Sequence, residues 1–130
     1  MLDKAKTQLD PITVEAIGSA LTTIVEEMGK AIIRAAYSTN IKERQDCSTA
    51  LFDAEGRTIA QAEHIPVHLG SLLGIADHVF KNHDLSTVRP GDIFVGNDTY
   101  TGGGTHLNDI VFLEPIFHDD RLVAWVTNIA

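Results

Sequence analysis

Apolar and small residues recur at Ile12, Ala16, Ala20, Ile24, Met28 and Ile32, and Ile17, Leu21, Val25 and Ala36 widen that line into a stripe. A repeat of about 3.6 residues marks an amphipathic helix, so the spacing predicts one long helix over about residues 11–37. Its start is marked by Asp10-Pro11, a carboxylate able to cap followed by a residue suited to the first helical position. Gly18 and Gly29 weaken the helix and point to close packing. A helix this long in a small domain suits a core face and also a subunit interface.

The pattern then changes period. YSTNIKERQD is polar and aperiodic and reads as a loop, whereas STALFD and RTIAQA flank the turn Asp53-Ala54-Glu55-Gly56, a hairpin signal. SLLGIADHVFKNH regains helical spacing at Leu72, Leu73, Ala76, Val79 and Phe80, which places a second helix near 69–82. Arg89-Pro90-Gly91-Asp92 is a turn and IFVG a buried strand; Ile110–Phe117 and Leu122–Ile129 are strands around His118-Asp119-Asp120-Arg121. The expected fold class is α+β: a long N-terminal helix, β-hairpins, a mainly antiparallel sheet and a second, shorter helix. The last strand, LVAWVTNIA, has no turn, cap or polar tail behind it, so residues 1–130 are expected to be part of a larger fold.

Composition narrows the function classes. The chain has 130 residues, 44% hydrophobic and 22% charged, ordinary for one folded domain, with a net charge of −8. No basic stripe is present, which speaks against nucleic-acid or anionic-membrane partners. Cys47 is the sole cysteine, no signal peptide is visible and no apolar run is long enough to span a bilayer, so a cytoplasmic protein is expected.

The chemistry-bearing residues cluster in three places. DTYTGGGTHLND puts three glycines before His106 and Asp109. An H-x-x-D pair can converge on one ion, and imidazole plus carboxylate suits Zn, Mn or Fe better than Mg or Ca. A loop histidine hydrogen-bonded to a nearby aspartate has the same spacing. The glycines allow positive φ and a tight bend, or expose N–H groups to an anion. GGG lacks the Lys-Ser/Thr of a Walker loop, and no helix pattern follows, so a P-loop is rejected. QAEHIPVHLG groups Glu63, His64 and His68 before a helix, and Asp46 stands at the entry to the first hairpin strand. Cys47 is a weak nucleophile candidate, with only Arg44 and Lys42 near it in sequence to favour the thiolate. His78, His83 and His118 read as surface residues.

The run DPITVEAIGSALTTIVEEMGKAIIRAAYSTNIKERQDCSTALFDAEGRTIAQAEHIPVHLGS followed by RPGDIFVGNDTYTGGGTHLNDI resembles the opening of the hydantoinase B/oxoprolinase family. The resemblance runs from Asp10 to Ala130 and implies a B-type subunit of an ATP-dependent enzyme that opens hydantoin, oxoproline or lactam rings. In that family an A-type ATPase partner phosphorylates the carbonyl or enol oxygen, and the B-type part completes a metal-assisted hydrolysis. A hetero-oligomer using a divalent metal and ATP is therefore expected, with the fragment alone inactive; an ATP-dependent ketone carboxylase subunit and a non-catalytic assembly module are the alternatives. Carried over, the metal ligands fall on His106 and Asp109, with Asp46 as the remaining carboxylate and a further histidine expected in a His-His-x-Asp segment after Ala130. Glu63, His64 and His68 would be the catalytic groups, and Asn97, Gly102, Gly103 and Gly104 would receive the substrate or its phosphate. The sequence departs from the family pattern at Thr99, where relatives usually have proline, in a glycine run one residue longer than GGTH, and at Cys47.

Overall fold

The computed structural model describes residues 10–63, 65–101 and 103–130, with the side chains of Glu63 and Leu69 outside that description. Five antiparallel strands form one sheet in the order β2-β1-β5-β4-β3, where β1 is Ser48–Asp53, β2 Thr58–Glu63, β3 Phe94–Gly96, β4 Val111–His118 and β5 Arg121–Ile129. Helix α1 (Pro11–Ala35) covers one face and α3 (His68–Asn82) the other, with α2 (Thr39–Arg44) between α1 and β1. Among the described residues no helix is long and apolar enough to cross a membrane.

Strand alternation sorts the two cores. Leu51, Ala60 and Ala62 face α1 and meet Val25, while Ala50, Phe52, Val111, Leu113, Trp125 and Ile129 face α3 and meet Leu72, Ile75, Ala76 and Val79. Trp125 is fully buried, with Phe80 edge-on at 5.3 Å between ring centroids. On the α1 side, Thr49 donates its hydroxyl hydrogen to the Val25 carbonyl at 2.6 Å. Gly29, one turn further on, is buried, as expected of a close-packing glycine.

The caps follow local chemistry. Asp10 accepts from the Thr13 N–H at 3.2 Å, with Pro11 in the first turn, and α1 stops at Ala35, two residues before the expected end. Asp119 and Asp120 both adopt positive φ, 47° and 60°, the conformation of a type I′ turn joining β4 to β5. Pro115 sits in β4 beyond the three residues that pair with β3, where its missing N–H breaks no pairing on that side.

Three expectations need correction. The stretch read as a loop contains α2, whose six residues are too few to show a hydrophobic period and bury none; it ends at Gln45 in the left-handed region, φ 56°. The strand expected to be buried, IFVG, is the short edge strand β3, with Val95 60% exposed, because its apolar run lies at the margin of the sheet. Gly18 has nothing within 4 Å of a Cβ position, so it is not a packing glycine. The first ten residues of α1, Pro11–Ala20, bury nothing, and Ile12 is 76% exposed.

These glycines predict opposite responses. Gly18→Ala should stabilise the chain by about 0.5–1 kcal/mol, since an open helical glycine loses backbone entropy for no packing gain. Gly56→Ala should cost about 2–3 kcal/mol, because φ is +83° and a Cβ would lie 2.4 Å from the Phe80 ring. Urea denaturation of both variants reads the two signs.

Candidate functional site

The register aligns one row across all five strands. Glu63 pairs with Ser48, Ser48 with Ile129, Ile129 with Val111 and Val111 with Gly96. Just beyond this row stand Asp46 and Cys47 before β1, Asn97 after β3, Asp109 and Ile110 before β4, and Ala130 after β5. Ile110 and Ala130 exchange backbone hydrogen bonds of 3.0 and 3.3 Å, which extends the pairing of β4 with β5 by one residue. Neighbouring strands lie about 4.8 Å apart, so the backbones at Asp46 and Asp109 are about 10 Å apart with β5 between them. The site residues picked out in sequence therefore collect at one end of the sheet. His64 and Gly102 lie outside the described residues.

Between Asn97 and Asp109 the chain folds onto α3. Gly103 has φ +85°, and a Cβ there would lie 2.1 Å from the Ser71 carbonyl oxygen and 2.8 Å from the Ile75 nitrogen. The left-handed bend expected of the glycines is thus present. The stronger demand is main chain pressed on helix with no space for a side chain, which spacing alone does not reveal. Ser71 Oγ and Thr105 Oγ1 are hydrogen-bonded at 2.7 Å, and Asn97 Nδ2 donates to the Leu107 carbonyl at 3.3 Å. A cavity of about 640 Å³ opens along this contact, lined in part by Gly70, Gly74, Gly103 and Gly104.

Asp109 closes the end of the loop. Its Oδ2 accepts from the Thr105 N–H at 3.2 Å and the His106 N–H at 2.9 Å, while its own N–H donates to the His106 carbonyl at 3.1 Å. The carboxylate is 15% exposed and firmly placed; the His106 side chain is 74% exposed, with Nδ1 3.4 Å from Asp109 Oδ2. Two donors each about 2.1 Å from one tetrahedral ion lie roughly 3.4 Å apart, so this pair fits two positions of such a site. Among the described residues no three His, Cys, Asp or Glu side chains gather around a common point, so a three-ligand centre would take a donor from elsewhere.

Asp46 meets His68. Asp46 Oδ1 lies 3.5 Å from His68 Nε2, and the other ring nitrogen, Nδ1, lies 3.3 Å from Ser48 Oγ. His68 is the first residue of α3 and 2% exposed; Ser48 is fully buried. Ser48 went unselected in the sequence, yet alternation puts it on the same face as Ala50 and Phe52, and a serine at a core-facing position was the available signal. Cys47 is fully buried; burial first, and the Asp46 charge second, push its thiol up, away from a nucleophile's range.

A family model described as hydantoinase B/oxoprolinase matches residues 10–130. The chain belongs to the hydantoinase B/oxoprolinase family. An uncharacterised protein of Methanocaldococcus jannaschii is 46% identical over 122 residues, covering 92% of this chain and 22% of its own length. The ATP-dependent caprolactamase from Pseudomonas jessenii superposes with a TM-score of 0.80 and 31% identity over 95% of this chain and 21% of its own. Acetone carboxylase in its nucleotide-free structure shares the fold, with a TM-score of 0.84 and 24% identity over 93% of this chain and 16% of its own. The chain thus spans about a fifth of the length of these proteins. The long helix, paired hairpins and antiparallel sheet are the shape this segment takes in the family.

Two measurements probe this segment of the hydantoinase B/oxoprolinase fold. Gly103→Ala should destabilise it by about 2–4 kcal/mol, combining backbone strain with overpacking against α3, read by urea denaturation. Cys47 should alkylate more than about tenfold more slowly in the native chain than in urea at pH 8, because a raised, buried thiol offers little thiolate.

Proposed function

We propose that this chain is the sheet-bearing N-terminal part of a B-type component that opens cyclic amides in an ATP-dependent reaction. The observation that carries the reading is the likeness to an ATP-dependent caprolactamase, 31% identical over 95% of the chain. An A-type ATPase partner would phosphorylate the amide oxygen, and the sheet end described above would receive the activated ring. The exposed first turns of α1 offer a surface to such a partner, in a hetero-oligomer.

His106 and Asp109 would hold a divalent ion such as Zn, Mn or Fe, together with the histidine expected after Ala130, which would enter between the Asp46 and Asp109 strands. When bound, the ion supplies Lewis-acid polarisation of an oxygen. The chain's own work is positional. Asp109 is fixed by two N–H donors, His106 is left free to turn toward a partner group, and the loop holding both is clamped to α3 through Gly103 and Ser71. Glu63, the last residue of β2, and His64 are the candidates for moving protons.

With its ATPase partner, the enzyme should release ADP in step with ring opening of a lactam, hydantoin or oxoproline. His106→Ala or Asp109→Ala should reduce ring opening by more than about a hundredfold. Unchanged turnover in His106→Ala would sink the site, and turnover of a ketone with bicarbonate in place of cyclic amides would reassign the reaction. Titrated alone with ZnCl2, the 130-residue chain should bind no tighter than about 10 μM, as two ligands hold an ion poorly.

A further inference from the structure

Helix α1 carries a second apolar line beside the one it turns to the sheet. Val25 and Gly29 are buried, with Leu21 and Met28 packed next to Val25. Val14, Ile17, Leu21, Ile24, Met28 and Ala31 follow alternating steps of three and four residues, the spacing of a seam between paired helices. Val14, Ile17 and Ile24 remain about half exposed, so the fold of the chain leaves this line largely unused.

The sheet has a matching deficit. On the α1 side one row runs Thr49, Asn128, Phe112, Val95 across four strands. The helix covers its Thr49 end, where the hydroxyl meets the Val25 carbonyl, and leaves Val95 and the nearby Ile93 exposed. Between α1 and this open half lies a groove of about 320 Å³, lined in part by Met28, Ala31, Ile32, Ile93, Phe112 and Val126. The groove therefore borders the lower end of the seam, while the upper end, in Pro11–Ala20, buries nothing.

A two-fold antiparallel pairing of helices uses both features at once. With Val14 of one helix opposite Ala31 of the other, Ile17 meets Met28 and Leu21 meets Ile24, and every seam position is covered. The first turns of each helix, about 15 Å of it, then lie along Met28 and Ala31 of the other copy, over the open groove. Parallel pairing sets the two projecting ends against each other and leaves both grooves empty. The helix ends also match in charge, because Arg34 in the last turn of one comes beside Asp10, the N-cap of the other. No charged residue stands in the seam, although the chain carries a net charge of −8. We propose that α1 and the uncovered half of the sheet form a two-fold interface between two copies of this chain, the projecting turns of each helix seated in the groove of the other. The opposite flank of α1, with Glu15, Ser19, Glu26 and Lys30, stays exposed and available to an ATPase subunit.

Sedimentation of the 130-residue chain between about 5 and 200 μM should show a monomer–dimer equilibrium. Ile17→Glu should weaken association at least about tenfold, since it buries a charge in the seam, and should leave helix content by circular dichroism unchanged. A chain that stays monomeric throughout, or an Ile17→Glu dimer as tight as the original, overturns the proposal. Cross-linking reads the direction of pairing. Oxidising a mixture of Val14→Cys and Ala31→Cys chains should give a covalent dimer, whereas neither alone should, because like positions lie about 26 Å apart along antiparallel helices and a disulfide spans no more than about 7 Å. Cys47 is fully buried and takes no part. Covalent dimers from either variant alone, with none in the mixture beyond those, would mean parallel pairing and would overturn the groove-filling arrangement.

Discussion

The central position of β5 is the constraint on which the rest depends. The last strand in sequence is the middle strand in space, with β1 on one side and β4 on the other. The hairpin β1-β2 and the strands β3-β4 have no pairing with each other, and only the register through β5 brings Ser48 and Val111 into one row. Its inward side chains supply the grip: Trp125, Thr127 and Ile129 are all fully buried. Trp125 sits edge-on to Phe80 and removes its whole indole from water; among the described residues its Nε1–H has no partner. A slip of one residue would turn these side chains to the opposite face and misalign the site row, so core and site enforce the same register.

Helix α3 is the second organiser, because its first turn touches both halves of the sheet end. His68 reaches Asp46 and Ser48 on the β1 side, and Ser71 reaches Thr105 on the loop leading into β4. Gly103 makes the second attachment tight, with its main chain against the carbonyl of Ser71. One helix thus touches the sheet end on both sides of β5, where the backbones at Asp46 and Asp109 lie about 10 Å apart by strand geometry. The positive φ and missing side chain of Gly103 let this loop lie directly on α3.

Elements with a full period were legible in the sequence. The long helix, the second helix and both hairpins follow from hydrophobic spacing and turn residues, and their observed limits differ from the expected ones by one or two residues. What escaped has identifiable physical causes. Helix α2 is shorter than two turns and buries nothing, so no stripe could announce it. The edge position of β3 is set by strand order, which local sequence does not encode. At the site, His106 and Asp109 were legible because three residues of spacing bring them together within one turn. The pairing of Asp46 with His68 spans 22 positions and depends on how α3 packs on the sheet, so it is a property of the tertiary fold. Ser48 was hidden for the same reason, although its polar side chain on a core-facing position was visible in the alternation.

The two halves of the sheet end each place a carboxylate beside a histidine. Asp109 is held by the N–H groups of Thr105 and His106, and Asp46 lies 3.5 Å from the His68 ring. In each, a side chain reaches solvent, the exposed imidazole of His106 and the half-exposed carboxylate of Asp46. Anchoring the anions in advance lowers the reorganisation needed when charge develops on a bound substrate, which is where preorganised sites gain most. The imidazole is instead exposed, which under the proposed function leaves it open to a donor or substrate from the rest of the longer protein, as in the caprolactamase, of which this segment covers 21%. The sheet end thus pairs a carboxylate fixed by two backbone donors with an imidazole open to solvent.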